Sequence, residues 1–230
     1  MASVDLPTQL TRSPLFCALS GEELQRVASA CRLRHFAKGE DIFRVGSLCE
    51  AFYIVVSGQV KLYVLSCAGH EKVIEIFSPD HSFAEAFMFL EKPYIVNAQA
   101  LCDTVLIEVS KAGMFREITH DPRMAMHLLA GISRRVHALI KDVDNYTLRS
   151  GMQRLIGYLL RDVETQTCPD CGAHTVSLPA SKSTIASRLS LTPEYFSRVL
   201  HELQDQQLIR IERRTIHIFD VQQLARYGSQ

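Results

Sequence analysis

The stretch spanning residues 183–200 constrains the fold more than any other part of the chain. It reads as two short helices joined by a tight turn, each with apolar residues along its inner side. Ala186 is small enough for the helices to cross closely, and a hydroxyl at Thr192 followed by Pro193 predicts the start of the second helix. Ser190 occupies the turn position where glycine would be easiest, because φ is positive there. The stretch therefore predicts a helix-turn-helix.

The second helix of this motif presents a polar face made of Glu194, Ser197 and Arg198. Arginine can donate two hydrogen bonds to guanine O6 and N7, and glutamate can accept one from cytosine N4. These positions fall in the first two turns, where a recognition helix reaches base edges in a major groove. Glu194 and Arg198 are also expected to bond each other across one turn. The alternative is an amphipathic hairpin with an ordinary surface ion pair.

A hairpin after the motif supplies further contacts. Residues 208–219 alternate like two strands, with Glu212, Arg213 and Arg214 at the tip. Arginines beside a recognition helix suit DNA phosphates, although a solvated turn is the alternative. The chain has zero net charge, but residues 177–227 carry seven basic and five acidic side chains. The predicted DNA-contacting residues are Glu194, Ser197, Arg198, Thr192, Lys182, Ser183, Arg213 and Arg214.

Composition places the chain among ordinary globular proteins. Of 230 residues, 47% are hydrophobic and 22% are charged. No apolar run approaches the roughly 20 residues needed to span a bilayer, and no signal peptide is evident, so a cytoplasmic protein without membrane association is expected. The seven cysteines are expected to be reduced thiols. No nucleophile–base motif or phosphate loop indicates an enzyme.

The region from about residue 33 to 110 has the character of a β domain. Short runs rich in β-branched and aromatic residues are separated by glycines at strand-length intervals, which favours a sandwich or barrel-like roll. A helix precedes the region, with Ser20 as its cap and Glu23 as capping-box partner. The predicted strands cover residues 41–45, 51–56, 59–65, 71–77, 95–100 and 104–109.

A long helix follows, beginning near Pro122. Apolar residues recur along it at alternating spacings of three and four, which indicates a heptad seam and parallel self-association. A helix lying against its own domain is the alternative. A two-fold dimer would read a palindrome whose half-sites lie roughly 34–36 Å apart. The seam residues are Leu129, Ile132, Val136, Leu139, Val143 and Tyr146.

The predicted fold is therefore α+β, with an N-terminal antiparallel β-roll sensor domain (1–118), a dimerisation helix (119–148) and a C-terminal winged helix-turn-helix (149–230). From about residue 15 to 219, this order resembles the CRP/FNR superfamily of bacterial transcription regulators. Residues 194–198 look like the FNR-type signature E-x-x-S-R, whereas Pro193 stands where the CRP-type helix carries arginine. The resemblance implies a homodimer on double-stranded DNA, with RNA polymerase as a partner. It also implies TTGAT-like half-sites in an inverted repeat, with Arg198 on guanine, Glu194 on cytosine and adenine edges and Ser197 selecting the outer T.

The sensing region departs from the cyclic nucleotide binders of that superfamily, which carry a Gly-Glu pair followed some ten residues later by Arg-Ser. Glu85 is present, but Tyr94 and Ile95 stand in the positions of the arginine and serine. Without that cation a buried phosphate would be unpaired, so cAMP is not expected to bind. Residues 83–100 are most similar to the Dnr branch, regulators of denitrification genes associated with nitric oxide sensing through haem. The expected effector pocket, with core packing as the alternative, comprises Phe83, Glu85, Phe87, Tyr94, Ile95, Met126 and Leu129.

Haem is accordingly a candidate cofactor, with several candidate axial ligands: His35, His70, His81, His120, His127 and Cys17. An iron–sulfur cluster is not expected, because Cys17 and Cys31 are far apart and Cys102 is the only further candidate ligand. A separate possibility is the loop that contains Cys168 and Cys171, with His174 nearby. Such a motif suits half of a zinc site, a dithiol that oxidises reversibly, or a loop without function.

Overall fold

The computed structural model describes residues 5–147, 150–165, 174–178 and 180–228, apart from the side chains of 135, 138–147 and 161–165. The helices are α1 Leu6–Arg12, α2 Gly21–Ser29, α3 Glu85–Phe89, α4 Lys111–His120, α5 Arg123–Thr147, α6 Gly151–Thr165, α7 Lys182–Arg188, α8 Pro193–Asp205 and α9 Val221–Tyr227. The strands are β1 Cys31–Phe36, β2 Asp41–Phe43, β3 Ala51–Ser57, β4 Val60–Leu65, β5 Glu71–Phe77, β6 Ser82–Phe83, β7 Asn97–Ala100, β8 Thr104–Ser110, β9 His174–Ser177, β10 Ile209–Glu212 and β11 Thr215–Ile218. The predicted mixture of helices and antiparallel sheets is confirmed.

The chain forms two compact units, Met1–Ala138 and Leu139–Gln230. The boundary lies inside α5, whereas residues 119–148 were predicted to form a separate dimerisation helix. The N-terminal part of α5 belongs to the first unit because it packs there. Met124 and Leu128 are buried, and a Cβ at Gly131 would lie only 2.9 Å from the Leu15 carbonyl oxygen.

Two antiparallel sheets build the first unit, in the orders β1-β8-β3-β6 and β2-β7-β4-β5. Each predicted run overlaps one of these strands, but β1 and β6 were not predicted. Aromatic rings from both sheets meet in the interior. The ring centroid of Phe43 on β2 lies 6.0 Å from that of Tyr53 on β3 and 6.2 Å from that of Phe83 on β6. This contact fixes the two sheets face to face, as in the predicted roll.

Strand β3 is buried on both faces, which explains its continuous apolar run. On its outer face Phe52 is fully buried against Phe16, with ring centroids 6.1 Å apart. Helix α2 also packs on this unit and has the predicted capping box. The Ser20 N–H donates to Glu23 Oε2 at 2.7 Å, and the Glu23 N–H donates to Ser20 Oγ at 3.4 Å. The N-terminal helices therefore form a layer outside the roll.

The second unit joins α6–α9 to a small antiparallel sheet in the order β10-β11-β9. The predicted hairpin is its core, with Ile209 opposite Ile218. Strand β9 adds a third member through Val176 opposite Ile216, and neither β9 nor α9 was predicted. The apolar faces of α6 and α8 are buried through Leu155, Leu159 and other side chains. No described helix is both long and apolar enough to cross a lipid bilayer.

Candidate nucleic-acid interface

The turn between α7 and α8 has the conformation expected from the sequence. Ser190 adopts φ of 56°, in the left-handed region. The Leu191 N–H donates to the Ala186 carbonyl at 2.9 Å, and the Ser190 N–H donates to the Ser187 carbonyl at 3.2 Å. This pair of bonds is the Schellman arrangement that satisfies the last carbonyls of a helix. It ends α7 abruptly and directs the chain into α8.

Helix α8 begins where the sequence predicts. Thr192 is its N-cap, with the Tyr195 N–H donating to Thr192 Oγ1 at 3.2 Å, and Pro193 is its first residue. Glu194 then falls in the first turn, where a carboxylate is favourable beside the positive end of the helix dipole. The predicted inner faces of both helices are fully buried or nearly so: Ile185, Ala186 and Leu189 on α7, and Phe196, Val199, Leu200 and Leu203 on α8.

The opposite face of α8 carries the predicted reading residues. Glu194 and Arg198 are exposed and Ser197 is half-buried. The expected ion pair between Glu194 and Arg198 is wrong: the two described side chains form none. Instead the Arg198 guanidinium carbon lies 4.8 Å from the centroid of the Tyr195 ring, so the arginine rests on an aromatic face one turn earlier.

The flanking residues of the predicted interface are also accessible. Lys182 and Ser183 are exposed in the first turn of α7, which Ser181 caps by accepting from the Thr184 N–H at 3.1 Å. A helix N-terminus with exposed donors and a lysine suits a DNA phosphate.

The wing is the β10–β11 hairpin, whose turn contains Arg213 and Arg214. Arg213 has φ of 56° and both arginines are exposed. Arg210 is neutralised by Glu212 at 2.8 Å. Among the described side chains neither Arg213 nor Arg214 forms an ion pair. These two cations are consequently available for phosphate oxygens.

The exposed side of α5 carries part of the predicted seam. Leu129 is 54% exposed and Val136 is 49% exposed, while Ile132 is partly buried against the core of the first unit. Met126, on the same helix, is 66% exposed. The side chains of Leu139, Val143 and Tyr146 lie outside the described residues. One face of α5 thus packs on its own unit, as the alternative expected, and another leaves apolar side chains uncovered.

Comparison with known proteins places both units. Residues 33–121 match the cyclic nucleotide-binding domain, and residues 153–227 match the Crp-like helix-turn-helix domain. The chain is 34% identical to DNR from Pseudomonas aeruginosa, with 97% of this chain and 98% of that chain covered and a TM-score of 0.54. The chain belongs to the CRP/FNR family.

Two further proteins are similar to this chain over most of its length. The cyclic AMP receptor protein of Thermus thermophilus is 27% identical over 206 residues, which cover 90% of this chain and 92% of the relative. FixK2 from Bradyrhizobium japonicum shares the fold, with a TM-score of 0.74 at 23% identity and coverage of 85% of this chain and 96% of that chain. As a family member, the chain is a transcription regulator with an effector-binding domain and a DNA-binding helix-turn-helix domain. The DNR match supports the predicted likeness to the Dnr branch.

In this CRP/FNR chain the residues expected to form an effector pocket are dispersed. Phe83, Glu85 and Tyr94 are buried, and Phe87 is half-buried. Ile95, however, is 63% exposed. Met126 and Leu129 are exposed because Met124 and Leu128 occupy the inner face of α5. The expectation that all seven line one pocket is therefore corrected.

Tyr94 occupies the place expected for a phosphate-binding arginine and fills the roll. Its ring stacks on Phe43 with centroids 3.7 Å apart and an interplanar angle of 8°. The Tyr94 hydroxyl donates to the Ala51 carbonyl at 2.6 Å, and burial raises the pKa of Tyr94 well above its usual range. At the position of the glycine in the Gly-Glu pair, Ala84 keeps a left-handed φ of 72°. The left-handed backbone conformation before Glu85 is thus kept, whereas the arginine that would bind a nucleotide phosphate is replaced by Tyr94.

An open cleft of about 450 Å³ lies beside this stack and is lined in part by Phe43, Tyr53 and Tyr94. At its rim, Glu108 is buried and bonded by Arg32 at 2.9 Å and Arg34 at 2.8 Å. The residues that line the cleft include no histidine, cysteine or methionine. It therefore supplies none of the usual nitrogen or sulfur ligands of haem iron. Tyrosine can also bind haem iron, but Tyr53 and Tyr94 are buried among stacked rings and the Tyr94 hydroxyl already donates to the Ala51 carbonyl, so the cleft does not fit that group.

The remaining candidate ligands are scattered through the chain. Across the described residues, no three His, Cys, Asp or Glu side chains form a group that could hold a metal ion. The His127 Nδ1 faces Glu23 Oε1 at 3.7 Å, and the His81 Nδ1 lies 3.1 Å from the Pro79 carbonyl. Exposed Cys17 contacts Arg134, whose Nη2 lies 3.4 Å from the sulfur. His35 lies on β1, His120 ends α4, His70 is exposed before β5, and His174 is half-buried on β9. Cys168 and Cys171 lie outside the described residues.

Proposed function

We propose that this protein is a homodimeric, sequence-specific regulator that reads an inverted repeat of TTGAT-like half-sites through Glu194, Ser197 and Arg198. The observation that carries the proposal is the exposed polar face of α8. The Thr192 cap and Pro193 fix the start of the helix, so these three side chains fall in its first two turns. Arginine on guanine and glutamate on cytosine are the pairings that their chemistry favours.

The test measures binding of the full chain to a labelled duplex with two TTGAT half-sites, against duplexes in which each base pair is changed in turn. Replacement of Arg198 by alanine should weaken binding by about 1–3 kcal/mol and relax the preference at one G·C pair. Arg12→Ala, an exposed arginine on α1, is the matched control and should leave binding unchanged. Unchanged binding and base preference in Arg198→Ala would refute this role.

Self-association is the second part of the proposal, and the uncovered face of α5 supports it. Family members are dimers, and Leu129 and Val136 expose apolar surface that a second copy would bury. Two recognition helices held by one two-fold axis match an inverted repeat. RNA polymerase is the further partner expected of the family. Sedimentation of the free protein tests the dimer directly.

The effector, in the third part of the proposal, is not a cyclic nucleotide. Support comes from Tyr94, whose buried ring replaces the cation that an anionic phosphate needs. Calorimetric titration of the protein with cAMP should give no heat of binding. Addition of cAMP to the duplex-binding assay should not change the affinity for DNA. Saturable binding of cAMP at micromolar concentration would contradict this part alone.

Haem-mediated sensing of nitric oxide stays a prediction that rests on the likeness to the Dnr branch. Reconstitution with haem followed by absorption spectroscopy tests it. A stoichiometric Soret band that shifts with nitric oxide would support the prediction, and the absence of haem uptake would reject it. A thiol switch at Cys168 and Cys171 is the alternative signal. It predicts that oxidant changes DNA affinity in the wild type and not in Cys171→Ser.

A further inference from the structure

Tyr195 lies between the reading face of α8 and the start of α6. Its ring supports the Arg198 guanidinium at 4.8 Å from the ring centroid, while its own side chain is half-buried. The arginine is exposed and, among the described side chains, has no carboxylate partner. The aromatic ring is therefore the contact that defines where the guanidinium rests in the free protein.

The ring itself is held by the beginning of α6. A Cβ at Gly151 would lie 2.6 Å from Tyr195 Cε1, 3.1 Å from Tyr195 Cζ and 2.8 Å from Leu191 Cδ2. A side chain at Gly151 would have to displace the Tyr195 ring or Leu191, so the absence of one leaves the space in which the ring lies. Gly151 is the first residue of α6 and has no positive φ, which means that space accounts for the glycine there.

We infer that Tyr195 is a positioning residue for base recognition, which holds Arg198 in the orientation that reads guanine. The inference rests on the proposed reading role of Arg198. A long arginine side chain free in solvent must lose rotamer freedom when it forms two hydrogen bonds to one base. Resting on an aromatic face removes part of that freedom beforehand. The attraction between a guanidinium and an exposed ring corresponds to about a two- to five-fold effect.

The test compares base discrimination, defined as the ratio of affinities for the duplex with the native G·C pair and the duplex with that pair changed. Tyr195→Phe keeps the ring and should keep the ratio. Tyr195→Leu keeps apolar bulk beside Gly151 but removes the ring face, and should lower the ratio about two- to five-fold. In the Arg198→Ala background, Tyr195→Leu should change the ratio no further. That last result distinguishes positioning of Arg198 from a general effect on the helix.

Thermal unfolding of each variant controls for folding. If Tyr195→Leu does not fold, pentafluorophenylalanine at position 195 serves in its place, since it keeps the ring shape and removes the electrostatic attraction of its face. This inference would be overturned if the folded Tyr195 variant kept full base discrimination while Arg198→Ala lost it. The proposed function would then remain intact. No difference between the wild type and Arg198→Ala would instead refute the reading role of Arg198, and this inference would fall with it.

Discussion

The His127 Nδ1 lies 3.7 Å from the Glu23 Oε1, so a side chain of α5 faces the capping box of α2. The hydrogen bond from the Ser20 N–H is the largest influence holding the pKa of Glu23 below its usual range, and His127 acts in the same direction against burial and Asp121. This carboxylate thus joins the start of α2 to the long helix.

Acid should weaken the fold through Glu23. Because its pKa is lower in the folded state, its contribution to stability is complete above about pH 4.3 and is lost as the pH falls through the lowered value. Glu23→Gln should cost about 1 kcal/mol at neutral pH, since a bond to a charged acceptor becomes a neutral one, and the difference from wild type should shrink in acid. Urea unfolding from pH 3 to 7 measures this. Glu22→Gln, an exposed neighbour, should show no such trend.

Ser190→Gly should stabilise the second unit. The serine pays for its left-handed φ of 56°, whereas glycine adopts that conformation freely but orders at a greater entropic cost. The two effects leave a net gain of about 0.5–1 kcal/mol, which thermal unfolding would record as a rise of a few degrees. Ser133→Gly, in the interior of α5, should have the opposite sign. A destabilised Ser190→Gly would show that the contacts of the serine outweigh the strain of its left-handed φ.

Replacing Arg213 or Arg214 with alanine should weaken binding to specific and unrelated duplexes alike. Each loses a phosphate contact, so the slope of log affinity against log salt concentration should fall by about 0.9 per arginine. Arg210→Ala is the control in the same hairpin and should change the slope less, because Glu212 already neutralises that cation. A change in base preference in the wing variants would argue for a contact with a base edge.

A charge on the exposed face of α5 should abolish self-association. The double variant Leu129→Glu, Val136→Glu would bury unpaired carboxylates in the dimer interface. Analytical ultracentrifugation should therefore find monomers. Ala130→Glu, at an exposed position of this helix away from the seam, should leave the dimer intact. Dimers that persist in the double variant would place the interface elsewhere.

Thiol labelling should separate the cysteines by environment. Burial raises the pKa of Cys31 to about 12, so its reactive thiolate is scarce at neutral pH. Iodoacetamide followed by peptide mass spectrometry should modify exposed Cys17 and Cys67 first and Cys31 only after denaturation. Early labelling of Cys31 would indicate local opening around β1. The same experiment reports the reactivity of Cys168 and Cys171.

Local signals explain how much of the helix-turn-helix could be predicted. Thr192 and Pro193 define the start of α8 through contacts within one turn. The positive φ of Ser190 follows from the short connection between α7 and α8, so both features can be predicted from neighbouring residues. The position of Arg198 was not readable in this way. Its ring partner is seated by Gly151, 44 positions before Tyr195 in the sequence. Only packing decides between a carboxylate and a ring as the partner of such an arginine.

Long-range packing also explains why strand β9 and the exposure of Met126 and Leu129 could not be predicted from the sequence. Strand β9 has four residues, too few for a period to emerge, and its pairing with β11 defines it. Met126 and Leu129 were expected in a pocket because they are bulky and apolar. Instead, Met124 and Leu128 form the inner face of α5. The helix repeat alone does not show which apolar residues face inward, because that depends on the contact between Leu15 and Gly131, which are far apart in the sequence.

The stacked rings of Phe43 and Tyr94 have a consequence for how any effector acts. A molecule that enters the roll between them must first separate two rings whose centroids are 3.7 Å apart, and must break the bond from the Tyr94 hydroxyl to β3. Its observed affinity would then be its intrinsic affinity multiplied by the fraction of free molecules in which the two rings are already apart. Ligand binding and rearrangement of the sensor domain would therefore be coupled, so that even a ligand with weak observed affinity would change the conformation of every molecule it occupies.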